Sequence, residues 1–418
     1  MDFFSCITLN EAEQLVKTKI GCVTGLEKVG IAESLNRTAG MDIPAGEDMP
    51  PFSRSTVDGY AVQSGDTFGA EEGIPALLEI VGEIQMGKPA LIPVEPGQTV
   101  AIPTGGMLPE GADAVVMVEH TEQFDAGTVL MNRKVGPGEN VIQRGEDIHS
   151  GQFIIREGQV IRPQDIGLLA ACGYRSVVVR KPLCVGVLST GDEIVDIRTV
   201  PALGQIRDVN RYLLQAMLME LGCQVRSYGI VGDDYDQLAA MMSQALNQCQ
   251  LVVISGGSSV GSRDYTVQVI NSLGSPGVLF HGVAVKPGKP TIFGVVNSVP
   301  VFGLPGHPAA AMIMFTRLVK PVVEILSGRQ ANRIKHIFPA RMARNVASAP
   351  GRDDFISVRI QKNEGEYWAE PVFGRSGLIS TMTEADGIVH IPAEVSGLYA
   401  GDRVDVELFG QDCWKNGE

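Results

Sequence analysis

Between residues 183 and 326 two hydrophobic rhythms alternate in succession. LCVGVLS (183–189), QVRSYGIV (224–231) and LVVIS (251–255) are short runs rich in apolar and β-branched residues, of the kind found in strands covered on both faces. Between them, NRYLLQAMLMELG (210–222) sets Leu213, Leu214, Met217, Leu218 and Leu221 at helical spacing and stops at Gly222, and DQLAAMMSQALNQ (236–248) repeats the helical period. DYTVQVINSL (264–273) and VLFHGVAV (278–285) continue the series. This succession predicts a doubly wound α/β domain with a mostly parallel sheet over residues 181–328. Its last helix is expected to open near His307, with Pro308 at the first helical position, and to reach about Leu326, ended or kinked by Pro321.

The flanks have a different rhythm. Short strand-like pieces separated by EPGQ (95–98), LPEGAD (108–113), GPGE (136–139) and REGQ (156–159) predict a β-rich domain over 48–147. LNEAEQLVKTKI (9–20) and RPQDIGLLAACG (162–173) read as helices, the second stopped by Gly173. The two are expected to pack together in a helical linker domain made of 1–47 and 148–180, with the β-rich domain inserted into it. After Gly328, HIFPARMA, FISVRIQ, EYWAEPV and RVDVELF predict a small C-terminal β domain over 329–418.

Composition narrows the function classes. The chain has 418 residues, 44% hydrophobic and 20% charged, enough for about two to four domains. A net charge of -14 without any run of Lys and Arg argues against nucleic acid and against anionic membranes, which demand a basic face. Residues 290–316 contain no Asp, Glu, Lys or Arg, yet Pro300, Pro305 and Pro308 interrupt them, so a soluble core segment is expected there and not a membrane span. The N-terminus lacks the positive flank and long apolar core of a secretory signal. Seven cysteines without ligand spacing, several in apolar company as at Cys172, Cys184 and Cys223, read as reduced packing thiols of a cytoplasmic protein.

Candidate chemistry concentrates where strands end, because open parallel sheets bind ligands beyond their carboxyl edge. Asp192 and Glu193, Asp233 and Asp234, Asp208, and Asp264 all fall there. Any one of them can be a helix cap, but convergence of several would suit Mg²⁺, a hard cation that shares its oxygen ligands with phosphates. The loop SGGSSVGS, through Gly256, Gly257, Ser258, Ser259 and Gly261, can aim backbone N–H groups into one concavity, with a tight structural turn as the alternative. KPGKP (286–290) flanks a Pro-Gly turn with Lys286 and Lys289, a rigid anion clamp or else two surface lysines. His281 and His307 have no partner at ligand spacing and read as loop and capping residues.

STVDGYAV (55–62), PTGGMLPEGADAVVMVEHTE (103–122), GENVIQRGED (138–147), STGDE (189–193), SGGSSVGSRDYT (255–266), KPGKP, GLPGHPAAA (303–311) and PGRDDF (350–355) follow one another in an order that resembles the molybdopterin molybdenumtransferase family, the MoeA family related to the gephyrin E domain. The resemblance spans nearly the whole chain. It implies a molybdopterin-binding α/β domain and insertion of molybdate into adenylylated molybdopterin, with Mg²⁺ and release of AMP. It also implies a homodimer whose cleft joins the α/β domain of one subunit to β domains of the other. A separate molybdopterin adenylyltransferase would supply the substrate, and acceptor molybdoenzymes would take the product.

By motif, the resemblance assigns acidic roles to Asp58, Glu193, Asp233 and Asp264, with Glu193, Asp233 and Asp264 as metal ligands, and basic roles to Lys286 and Lys289. Thr104 and Arg144 match further positions of the inserted domain, while Arg352 and Ser376, the latter in GRSGL (374–378), fall where molybdate is held. On spacing alone Asp58 is equally a turn residue in VDG. Some relatives carry a basic residue where this chain has Gly282, so any role of that side chain is absent here or passes to His281 or Arg263. A molybdopterin carrier or scaffold without insertion chemistry, or a tungstate-inserting relative, is the competing expectation.

Overall fold

A computed structural model of the protein describes residues 6–257, 265–330, 336–363, 365–374 and 377–410. Its central feature is a six-stranded sheet in the order Gln224–Val231, Cys184–Thr190, Leu251–Ser255, Val299–Leu304, Ile292–Val296, Pro276–His281. The first three junctions are parallel and the last two antiparallel. The mostly parallel sheet expected from the apolar runs is therefore present, with an antiparallel flank. That flank turns at Asn297 and Ser298, both at positive φ (48° and 75°), as a two-residue hairpin demands.

Every residue of Cys184–Thr190 and Leu251–Ser255 is buried, because helices cover both faces. Period-two alternation divides each strand between them: Leu251 and Val253 meet Leu214, Leu218 and Leu318 on one face, while Val252 and Ile254 meet Leu238, Met242 and Val269 on the other. The last helix begins at Pro308 as expected and ends at Leu326, but it does not break at Pro321. Pro321 has no N–H and its ring crowds the carbonyl four residues back; the chain accommodates it by widening Phe315–Val319 into one π-helical turn between Pro308–Met314 and Lys320–Leu326.

The expected packing of the two flanking helices is corrected. Helix Leu9–Thr18, opened by a capping box between Thr8 and Glu11, buries Leu9, Ala12 and Val16 in the α/β core beside Leu318 and Val322. Helix Pro163–Ala171 packs its Leu169 into a separate cluster with Ile155, Ile161, Val177 and Val179. Amphipathic spacing specifies that a face is buried, not which neighbour buries it. The two ends of the interrupted unit are joined instead by strands, Leu26–Gly30 pairing antiparallel with Ser176–Arg180.

The inserted region carries a six-stranded sheet that includes Gly59–Val62, Ala76–Glu83 and Gln98–Ile102, and the C-terminal region another, built on Asp353–Asn363. A strand pairing also joins the α/β region to the C-terminal one. Val285–Lys286 adds to the C-terminal sheet in parallel with Asp353–Asn363, at register Val285↔Asp353 and Lys286↔Asp354. No helix among the described residues is long and apolar enough to cross a membrane.

Candidate functional site

The carboxyl ends of Cys184–Thr190, Leu251–Ser255 and Val299–Leu304 open onto a cleft of about 1490 Å³. Its floor is made where three strand-end loops touch. Gly256 adopts φ +89°, its N–H donates to the Leu304 carbonyl at 3.1 Å, and a Cβ there would stand 2.3 Å from the Thr190 carbonyl oxygen. Only glycine fits that approach. Gly256 and Gly257 both line the cleft, as the loop reading expects, whereas Ser258, Ser259, Gly261 and Asp264 lie outside the described residues.

The acidic residues at the strand ends divide by role. Glu193 and Asp233 are exposed side chains lining the cleft. Asp192 instead accepts the Asp233 N–H at 3.0 Å and ties the two loops together, and Asp234 caps helix Tyr235–Gln248 through the Gln237 N–H at 2.8 Å. Asp208 also borders the cleft, but its buried carboxylate accepts from Ser189 Oγ at 3.0 Å and from the Arg211 N–H at 3.2 Å, and pairs with Arg211 Nε at 3.1 Å. Arg211 reaches on to Asp196, whose carboxyl is held down at about 2 chiefly by the hydrogen bond from Arg198. For Asp192, Asp208 and Asp234 the capping and loop-tying roles account for the residue.

The basic half comes from KPGKP. Lys286 and Lys289 are exposed on the cleft wall. Their turn is held from below: Thr291 Oγ donates to the Gly288 carbonyl at 2.7 Å, and the Val283 N–H to the Lys289 carbonyl at 2.9 Å. It is also held from both sides, since the Ala284 N–H donates to the Ile7 carbonyl at 2.8 Å and the Asp353 N–H to the Ala284 carbonyl at 2.9 Å. Gly288 sits at φ +124°, and a Cβ on it would come 2.5 Å from the Met314 side chain. The pairing of Lys286 with Asp354 brings Arg352 to the same wall, where its Nε donates to the fully buried Asp354 at 2.9 Å. Asp354 thereby orients the fork, and Arg352 lines the cleft with the lysines.

Gly282, the departure from some relatives, has a backbone reason. It stands at φ +110°, donates its N–H to the Thr291 carbonyl at 2.9 Å and accepts from the Ile7 N–H at 3.2 Å. A side chain at that φ is strained. His281 ends the strand Pro276–His281 and is not among the described cleft residues, while His307 is, at the cap of helix Pro308–Met314; Arg263 and Ser376 lie outside the described residues.

Asp58, Thr104 and Arg144 form a second group. Asp58 Oδ1 accepts the Thr104 N–H at 2.8 Å, and the Gly105 N–H donates to the Ser55 carbonyl at 2.8 Å. Arg144 donates its backbone N–H to Ser53 Oγ at 3.1 Å and pairs with Asp48 at 3.0 Å. The segment 53–58 thus gathers all three, exposed, on the inserted domain. None of them is among the residues lining the cleft.

Of the buried acceptors on the cleft lining, Thr190 Oγ1, Asn210 Oδ1 and Asp208 Oδ2 have no hydrogen-bond partner among the described residues, the last being ion-paired with Arg211. The sequence offered only a weak signal for Asn210, a polar first position followed by Arg211 in the amphipathic helix Asn210–Glu220. No group of three or more His, Cys, Asp or Glu that could hold a metal occurs among the described residues.

Three family models match the chain in succession. "MoeA N-terminal region (domain I and II)" covers residues 7–173, "Probable molybdopterin binding domain" 186–325, and "MoeA C-terminal region (domain IV)" 339–409. The molybdopterin molybdenumtransferase of Haemophilus influenzae is 33% identical, over 96% of this chain and 98% of its own. The chain belongs to the MoeA family. The Bacillus subtilis molybdopterin molybdenumtransferase is 31% identical over 92% of this chain and 90% of its own. The crystal structure of a molybdopterin biosynthesis MoeA protein from Pyrococcus horikoshii OT3 superposes with a TM-score of 0.85 at 29% identity, covering 97% of this chain and 100% of that one. The cleft described above lies in the segment that the molybdopterin-binding model matches, with one wall completed by Arg352 from the C-terminal segment.

Proposed function

We infer that this MoeA-family protein is a transferase of molybdenum cofactor biosynthesis, inserting molybdenum into molybdopterin in the strand-end cleft. The observation that carries this reading is convergence. Gly256 and Gly257, Lys286 and Lys289, Arg352, and the carboxylates Glu193 and Asp233 all line one cavity. The finer assignment is that the substrates are adenylylated molybdopterin and molybdate and that AMP is released.

Molybdate is a tetrahedral dianion, so two ammonium groups on one turn beside a guanidinium held by Asp354 suit it, with Ser376 as a further donor by motif. The backbone amide at Gly257 suits the phosphate of the pterin substrate, with Gly256 shaping the floor beside it. Mg²⁺ fits the remaining donors: Glu193 and Asp233 offer hard oxygen ligands on the same cavity, two carboxylates being the usual protein share for a cation that also takes substrate phosphates, with Asp264 as the third by motif. When bound, the ion would neutralise charge on the phosphoanhydride as AMP departs. The protein's own part is to orient the two anions against each other while bearing their charge.

Asp58, Thr104 and Arg144 belong to this chemistry in a homodimer, where the inserted domain of one subunit faces the cleft of the other. Buried thiols, and an acidic chain without a basic run, accord with a cytoplasmic enzyme supplied by a separate adenylyltransferase and delivering to acceptor molybdoenzymes. The test is to incubate the protein with adenylylated molybdopterin, Mg²⁺ and molybdate and follow AMP. Molybdate-dependent release supports the reading. Binding of molybdopterin without any release would make the protein a carrier, and release with tungstate alone would change the metal.

A further inference from the structure

Helix Asn210–Glu220 opens with a carboxamide that is only 6% exposed. Its Nδ2 donates to Ser255 Oγ at 2.8 Å and to the Gly306 carbonyl at 2.8 Å, with the Pro305 carbonyl at 3.4 Å. These acceptors belong to different loops. Ser255 leads into the glycine loop, and Pro305 and Gly306 follow the strand Val299–Leu304. The loops are in contact, a Cβ on Gly306 lying 4.0 Å from Gly256 Cα. The helix end that carries the amide is itself anchored to a third strand end by Asp208, which accepts from Ser189 Oγ at 3.0 Å.

We propose that Asn210 is a positioning residue for molybdopterin: its amino group sets the spacing between the glycine loop and the Pro305–Gly306 turn, and so the shape of the cleft floor. The inference rests on the functional reading above. Both strong bonds from the amide leave the helix for the loops, so it adds nothing to the helix ladder. Its Oδ1 is left without a partner among the described residues, a penalty comparable to what one such bond contributes. An apolar side chain of the same shape would fill the volume without that penalty, and it would leave the two loops unlinked.

The substitution Asn210→Asp keeps the shape and replaces the donors with a carboxylate facing the Gly306 carbonyl. Burial and that acceptor raise the carboxyl pKa, so acidification restores one donor. Asn210→Ala restores none. Molybdopterin affinity is measured by fluorescence titration for the wild type and both variants at about pH 8 and about pH 6, with folding checked by circular dichroism. Both variants are expected to bind about tenfold or more weakly at the higher pH, a cost typical of a small misplacement of binding groups. Only the Asp variant recovers at the lower one, relative to wild type.

Asp208 and Arg211 beside position 210, Glu193 and Asp233 at the neighbouring strand ends, Lys286 and Lys289 on the wall, and His307 after Gly306 are common to the wild type and both variants, so each variant's affinity at the two pH values is read as a ratio to the wild type's. The difference between the variants therefore isolates position 210. An Ala variant that binds like wild type overturns the proposal, as do two variants with the same pH profile. If the Ala variant does not fold, the Asp variant decides alone: no recovery relative to wild type overturns it. A wild type that fails to bind molybdopterin overturns the functional reading first, and the inference with it.

Discussion

The α/β region and the inserted β region each gather candidate residues, but only one of them closes a cavity around what it gathers. In the α/β region, strand ends, the KPGKP turn and Arg352 face one another across about 1490 Å³ within a single chain. In the inserted region Asp58, Thr104 and Arg144 share a short segment and point to solvent, none of them on the cleft. In the proposed homodimer, a two-fold axis would carry one chain's inserted surface to the other's cleft and so bring the two groups of family-matched residues together.

The sharpest way to break this contrast is at the lysines. Lys289→Ala is expected to lower molybdate-dependent turnover by about 100-fold or more, with the melting temperature unchanged because the side chain is exposed. Equal activity would make KPGKP a surface turn. Chelation of divalent ions comes next. Activity should vanish and return with Mg²⁺ while circular dichroism stays constant, because Glu193 and Asp233 are exposed loop residues and not core. Activity that survives exhaustive chelation would remove the carboxylates' assigned role.

Glycine substitutions separate the regions by stability. Gly288→Ala directs a methyl at the Met314 side chain, which can shift, and is expected to cost about 1–3 kcal/mol. Gly59→Ala in the inserted sheet directs one at the Val116 carbonyl oxygen only 1.9 Å away, in the neighbouring strand, and should cost more. Urea unfolding of the two variants gives the order, and the reverse order would contradict the packing described. The smallest effect concerns thiols. Exposed Cys22 should alkylate readily at neutral pH. Cys223 and Cys249, pushed up to about 12 and about 11 chiefly by burial, should not until the protein unfolds, as mass spectrometry would show.

Much of the α/β region was legible in the sequence because its signals are local. Apolar runs alternating with helical spacing place the strands, and the strand ends place the loops that carry Glu193, Asp233 and Gly256. What stayed hidden depends on partners distant in sequence. Nothing in KPGKP announces that Lys286 pairs with Asp354 and so draws Arg352 to the wall. Nothing in the stripe Leu9, Ala12, Val16 says that it faces Leu318 and Val322 in place of the other flanking helix. At Pro321 the local rule predicts a stop or a kink, whereas relief through a π turn depends on a helix clamped along its length by the core. Asn210 was missed because its bonds go to two loops, 45 and 96 positions away.

The central claim, that the cleft of one chain works with the inserted domain of another, is tested most directly by subunit mixing. Asp58→Ala and Lys289→Ala proteins, each inactive alone, are mixed under conditions of subunit exchange and assayed for molybdate-dependent AMP release. Random pairing makes half of the dimers mixed, and each mixed dimer holds one intact cleft, so about a quarter of wild-type activity should return. A mixture as inactive as its components would contradict the account, because Asp58 and Lys289 would then have to act within the same chain.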